Sequence, residues 1–393
     1  MNLAEQPDPL TAHQLNSEPA TDVLTRPTLL CLSHLRWGFV YQRPQHVMSR
    51  LAKDYDVLFF EEPVFTEQAV PSLVQTQAAD GVTVLVPHLP VAAQPHGQPD
   101  QTAALQRRLL DDYLAQRPGA ELLLWYFTPM SLAFTDHLVG SVTVFDCMDE
   151  LSAFRGAPPD LLDKERQLLD RADVVFTGGY SLWEAKRQQH SNAHPMPSSV
   201  DIKHFAAARG GLVEPADQAD IGHPRLGFFG VIDERFDIAL VQEVAMQRPD
   251  WHIILIGPVV KIDPATLPRE ANIHYLGGKD YQELPAYLAG WDVALMPFAL
   301  NESTRFISPT KTPEYLAGGC PVVSTPIRDV ISGYGDSGVV TIAESPRAFI
   351  DAIEGALRSK IAGEVLVRAD AVLDGMSWDK TCSAMKEQIE CLR

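Results

Sequence analysis

No run of eighteen consecutive apolar residues occurs in this 393-residue chain, so a membrane-spanning helix is not expected. Positive charge is scarce, with 32 Lys and Arg against 51 Asp and Glu and a formal net charge of −19. Such a surface repels phosphate backbones, which argues against nucleic acid as a partner and leaves room only for a local basic pocket. Cysteines number five (Cys31, Cys147, Cys320, Cys382, Cys391), scattered and without metal-ligand spacing. They read as the reduced thiols of a cytoplasmic protein, mostly in core strands. No G-x-G-x-x-G follows the first strand, which argues against a nicotinamide or flavin dehydrogenase. No D-x-D-type loop is convincing as a metal cluster, so neither metal nor cofactor is expected. The first 27 residues lack the cationic start and apolar stretch of a signal peptide. Rich in Pro, Asp, Glu, Gln and Thr, they are expected to be a disordered tail.

What the chain has is an alternation of short apolar runs with amphipathic stretches. Strands are predicted at 28–33, 57–61, 82–86, 122–126, 142–146 and 174–177, then at 225–230, 252–257, 272–276, 293–297 and 321–325. Nearly unbroken Val, Ile, Leu and Phe runs suit parallel strands covered on both faces. The length fits two domains, and residues 206–224, rich in Ala, Gly, Asp and Pro, read as a linker. The expected fold is therefore α/β, with doubly wound domains at 28–205 and 225–376 facing each other across a cleft. A final helix is predicted from the apolar Met385, Ile389 and Leu392.

Residues 308–326, SPTKTPEYLAGGCPVVSTP, are the most informative segment. They read as a polar loop, a short helix, a glycine stop and a buried strand. Pro313 suits a first helical position, which makes Thr312 the expected N-cap and puts Glu314 in the first turn. Lys311 beside a helix N-terminus suits a diphosphate, and a carboxylate one turn on can accept from two ribose hydroxyls. That pairing points to a nucleoside diphosphate. The alternative is a solvated pair three residues apart.

The order and spacing of SHLRWGFVYQRPQH (33–46), FDCMDE (145–150), SVDIKHF (199–205), GFFGVIDERFD (227–237), NIHYLG (272–277) and KTPEYLAGGCPVV (311–323) resemble the group 1 branch of the GT-B glycosyltransferases. These are two-Rossmann-domain enzymes of capsule, exopolysaccharide or teichuronic-type polymer synthesis, and the resemblance covers nearly everything after the tail. It implies a nucleotide-sugar donor, UDP-linked, held by the second domain, a glycan or lipid-linked acceptor held by the first, and a last helix (377–393) crossing back to the first domain. It also implies a cytoplasmic protein touching the inner face of the membrane. The chain departs from the family pattern where the first of two glutamates is expected, at Phe306. A nucleotide-sugar epimerase of the same fold, or a non-catalytic sugar-binding protein, is the alternative.

Gly230 ends a strand, where the missing Cβ lets backbone approach a phosphate. Arg235 is placed to reach the diphosphate along with Lys311, and Thr310 and Glu314 complete the donor site; the alternative for Arg235 is a surface pair with Asp233 or Asp237. The nucleotide base is expected near His274. On the acceptor side the loop carries His34, Trp37 and Arg43, with His46 in the first turn of the next helix as a catalytic candidate or a packed histidine. Asp146, Asp149 and Glu150 gather at a strand end, and Asp149 is the preferred general base, helix capping being the alternative. Arg36, Trp37, Phe39 and Tyr41 form the candidate membrane patch.

Overall fold

The structure, a computed structural model, describes residues 26–94, 99–362 and 364–393, so the expected tail lies almost wholly outside the described residues. The first sheet contains β1 (Thr28–Leu32), β2 (Asp56–Phe60), β3 (Val64–Thr66), β4 (Ser72–Gln77), β5 (Thr83–Pro90), β6 (Leu122–Tyr126), β7 (Val142–Cys147), β8 (Val174–Thr177) and β9 (Ala193–Pro195). Their order is β3-β5-β2-β1-β6-β7-β8-β9, with β4 antiparallel on β5. The second sheet contains β10 (Arg225–Phe229), β11 (His252–Ile256), β12 (Ile273–Gly277), β13 (Val293–Met296), β14 (Val322–Ser324) and β15 (Val340–Ile342), in the order β12-β11-β10-β13-β14-β15. All its pairings are parallel. Both are doubly wound α/β domains.

Every strand predicted from the sequence is present. The pattern does not show β3, β4, β9 and β15. Three of these are three residues long, and the last four residues of β4 are exposed, so none carries an apolar run. Central β1 is buried at all five positions and pairs in register with β2 and β6, which brings the carboxyl ends of all three to one edge.

Residues 206–224 are not loose chain. They form a 3-10 turn, Ala207–Gly210, and a short helix, Ala216–Ala219. The Gln218 side chain donates to the Tyr287 carbonyl (3.0 Å) and accepts from Trp291 Nε1 (2.9 Å), strapping the segment onto the second domain. The last helix, Trp378–Glu390, is capped by the Ser377 hydroxyl, which accepts from the Lys380 amide. Trp378, Cys382, Met385 and Ile389, spaced for one helical face, share a core with Val47, Met48 and Leu51 of the first domain. Each such side chain contributes about 1.5–3 kcal/mol of burial. Leu392, the third apolar position predicted to define this helix, lies beyond its end and is 40% exposed.

The two domains touch. Asp329 of the second domain accepts from the Ser181 amide (3.0 Å), capping a helix of the first, Tyr180–Lys186. Gly179 lies so close that a Cβ there would sit 2.2 Å from Asp329 Oδ2 and 2.5 Å from Ser308 Cβ. Phe306 packs against the first-domain core, and Tyr41 stacks on Tyr281 with ring centroids 4.6 Å apart.

Candidate active site

Between the domains lies a cavity of about 630 Å³. Its floor is the carboxyl edge of the second sheet, with Gly230 after β10 and Gly257 after β11. Both glycines adopt positive φ, +153° and +142°, and a Cβ on Gly257 would lie 1.8 Å from the Gly230 carbonyl oxygen. Two side-chain-free turns thus pack against each other, leaving bare backbone facing the cavity. The Gly230 amide donates to the Ile256 carbonyl (2.9 Å), so what this glycine offers a ligand is close approach rather than its N–H.

Lys311 and Glu314 form one wall, on the helix Lys311–Ala317. This helix begins two residues before the expected start. Thr310 is the N-cap, Thr312 is helical and its hydroxyl donates to Met296 Sδ (3.0 Å). Pro313 is tolerated as the third helical residue because first-turn amides have no intrahelical acceptor. Lys311 Nζ lies 3.4 Å from Glu314 Oε2, and the pair is buried against the cavity rather than solvated. That carboxylate oxygen has no hydrogen-bond partner among the described residues. Burial pushes the Glu314 carboxyl above its usual range, with Lys311 opposing. A ligand that donates hydroxyls to it relieves this cost. Lys311 Nζ also donates to the Thr310 hydroxyl (3.0 Å).

Residues 37–41 of the first domain roof this cavity, and Phe39, half-exposed, also lines a second one of about 400 Å³. Asp149 sits there beyond the end of β7. Its carboxylate makes no hydrogen bond among the described residues, and burial raises it while Arg235 opposes. His34 faces the same cavity with Nδ1 buried and unpartnered. Burial, then nearby Lys261, pushes its imidazole down to about 4, so it is neutral at pH 7. Lys261 is the one non-glycine residue with positive φ (+61°) among the described residues, and its ammonium, with the Arg235 guanidinium, packs on the Phe154 ring.

Several expected site residues are elsewhere. Arg43, expected on the acceptor side, is 1% exposed and is spent on Asp146 (Nε to Oδ1, 2.9 Å) and on the Met196 carbonyl (2.6 Å). Asp146 is thereby a buried ion-pair partner, not a helix cap. His46 is sandwiched against Trp378 (centroids 4.5 Å apart) with Tyr41 edge-on, and burial pushes it down to about 2, so it lines neither cavity. His274 hydrogen-bonds His252 (3.0 Å) and does not line the cavity of Lys311, whose wall on this side is the segment after β12, Gly278 to Leu284. Arg235 forms a bidentate pair with Asp233 and lines the second cavity, not the one holding Lys311. Trp37 lines the first cavity but packs edge-on to Phe59, while Phe39 is the exposed ring of that loop. Arg36 holds Glu61 and the carbonyls of Glu62 and Pro63. Glu150 pairs with Lys186 (2.7 Å). Sequence reasoning missed Gly257, although it ends a strand as Gly230 does, and missed Lys261 and Tyr281, which carry no local signal. Among the described residues no group of three His, Cys, Asp or Glu could hold a metal, and no helix is long and apolar enough to cross a membrane.

Residues 223–359 match the family model for glycosyl transferases group 1. TuaH of Bacillus subtilis (strain 168), a protein named as a teichuronic acid biosynthesis glycosyltransferase, is 26% identical over 234 residues, spanning 55% of this chain and 59% of that protein. Among solved structures, sucrose-phosphate synthase from Thermosynechococcus elongatus superposes with a TM-score of 0.69 at 15% identity, covering 93% of this chain and 99% of the other. Anabaena Alr3699/HepE in complex with UDP and glucose gives a TM-score of 0.65 at 14% identity, over 92% and 99% of the two chains. With two parallel-sheet α/β domains and neighbours of this architecture, the chain has the GT-B fold, and residues 223–359 of its second domain match the group 1 glycosyl transferases.

Proposed function

We propose that this protein is a glycosyltransferase that moves a sugar from a nucleoside diphosphate donor, UDP-linked, to a glycan or lipid-linked acceptor in cell-surface polysaccharide synthesis. One observation carries the reading: a cavity holding the Lys311–Glu314 pair over two bare glycine turns shares Phe39 with a neighbouring cavity lined by Asp149, whose carboxylate makes no hydrogen bond among the described residues. Glu314 accepts from the ribose hydroxyls and Lys311 meets the diphosphate. The acceptor hydroxyl lies toward Asp149, which takes its proton as the new bond forms at the anomeric carbon. The bond to the diphosphate breaks, and Lys311 offsets the charge that develops on the departing nucleotide. Neutral His34 forms part of the acceptor wall. The loop bearing Phe306 turns to the first domain, so no side chain from that position serves the donor sugar.

The second cavity favours transfer over epimerisation, which needs only the donor pocket, and over simple binding, which needs no base. A lipid-linked acceptor brings the protein to the inner membrane face, where exposed Phe39 is the loop's only large unpacked ring among the described residues. Calorimetric titration with UDP, ADP and GDP, followed by a UDP-release assay with and without acceptor glycans, tests the proposal. Preference for UDP and acceptor-dependent release are expected. Turnover of UDP-sugar without release of UDP would refute transfer.

A further inference from the structure

The first domain contains another cavity, of about 350 Å³, at the carboxyl ends of β1, β2 and β6. It shares Glu62, Thr128 and Met130 with the cavity of Asp149, so the two adjoin on the side away from Lys311. Its position is where open parallel sheets take ligands, and its size suits a small molecule. Much of its wall is apolar and aromatic, with Phe60, Phe65 and Phe134.

Among the polar side chains of that wall, Ser33, Glu61, Thr102 and Thr128 are already hydrogen-bonded within the protein, whereas two uncharged ones are not. Gln106 is 7% exposed and Ser131 6% exposed, and neither side chain has a hydrogen-bond partner among the described residues. Neither has an atom among the sealed, unsatisfied ones, so what exposure they keep faces the cavity they line. Buried polar groups are ordinarily paired, and an amide plus a hydroxyl left open at a cavity wall await a ligand able both to donate and to accept. No Lys, Arg or His lines this space, while two carboxylates do: Glu61, paired with Arg36, and Glu62, which also lines the next cavity. An anion entering here finds no cation in the wall and two carboxylates that disfavour it.

We propose that this cavity is an acceptor subsite for a neutral sugar unit, one whose hydroxyl or amide groups engage Gln106 and Ser131 while its apolar face lies on the phenylalanine rings. The inference rests on the transferase reading, in that the reacting hydroxyl of the bound unit or of its neighbour extends past Glu62, Thr128 and Met130 toward Asp149. It assigns the acceptor class: an uncharged residue, rather than a uronate or a sugar phosphate, occupies the position beyond the transfer site.

The test uses the full chain and three probes, methyl β-D-glucoside, methyl N-acetyl-β-D-glucosaminide and methyl β-D-glucuronide, monitored by saturation-transfer NMR and titration with and without UDP. At least one neutral glycoside should bind and the glucuronide should not. Gln106→Leu and Ser131→Ala should each weaken the neutral probe about tenfold, as expected for one lost hydrogen bond at about 1.4 kcal/mol. UDP affinity should not change, and Ser131→Ala, a small deletion, serves should Gln106→Leu fail to fold. Glucuronide binding as tight as the neutral probes, or neutral binding indifferent to both substitutions, would overturn the proposal. UDP binding is read separately. Its absence would count against the transferase reading, while loss of the neutral probe in the variants would still support a sugar site here.

Discussion

Substituting Lys311 probes the donor cavity most directly. Its Nζ lies 3.4 Å from Glu314 Oε2 in a buried setting. With an effective dielectric of about 20, that separation corresponds to about 5 kcal/mol of gross attraction, most of it offset by the desolvation of both groups. Lys311→Met therefore strands a buried carboxylate. The protein escapes the full cost by protonating Glu314, whose carboxyl already lies above its usual range and moves further up without the ammonium. Two consequences follow for UDP. The direct contact to the diphosphate is lost, about 1.5–3 kcal/mol or roughly tenfold to hundredfold in affinity. In addition, Glu314 must now lose a proton before it accepts from the ribose, so affinity should fall more steeply as pH drops through its raised pKa. Isothermal titration at several pH values, in buffers of different ionisation enthalpy, reads both effects. The double variant Lys311→Met with Glu314→Gln removes the stranded charge and should recover folding stability without recovering UDP affinity. Unchanged UDP affinity in Lys311→Met, or a pH dependence identical to that of the unsubstituted protein, would refute this account of the pair.

Asp149→Asn should retain UDP affinity while turnover falls about a hundredfold, and the acid limb of the pH–rate profile, set by a base with a raised pKa, should vanish; steady-state kinetics across pH decides it. Phe39→Ala should leave UDP binding intact and lower transfer about tenfold, roughly 1.4 kcal/mol, with Phe39→Trp restoring it; equal rates for the alanine and tryptophan variants would remove any role for the ring. Gly179→Ala places a Cβ 2.2 Å from Asp329 Oδ2, so small-angle scattering should show the domains further apart and turnover should drop, while each domain stays folded by circular dichroism. His46 is held neutral with its pKa pushed down to about 2, so the folded state binds fewer protons than the unfolded one below about 6.5; stability should fall as pH drops below that value, and His46→Phe should flatten the dependence of melting temperature on pH between about 6.5 and 4.

Local chemistry set down much of this protein in its sequence. Apolar runs of four to six residues between amphipathic stretches specify strands buried on both faces, because each run must find cover above and below, and the two-domain α/β plan follows from their number. Lys311 and Glu314 were legible as a pair because three residues on a helix bring side chains to one face. The direction each remaining candidate takes was not legible. Arg43 meets Asp146 from 103 positions away, and His46 meets Trp378 from the opposite end of the chain, so their burial depends on contacts that no local pattern encodes. His274 occupies the expected strand yet turns to His252, since the cavity lies past the strand end rather than along it. Gln106 and Ser131 look like ordinary surface polar residues in the sequence. Only the packing of the helix that carries Gln106 against the carboxyl edge of the first sheet leaves them buried, unpaired and facing the same space. The site is assembled from strand ends and loops of two domains, and the relation between those domains is a matter of tertiary contact alone.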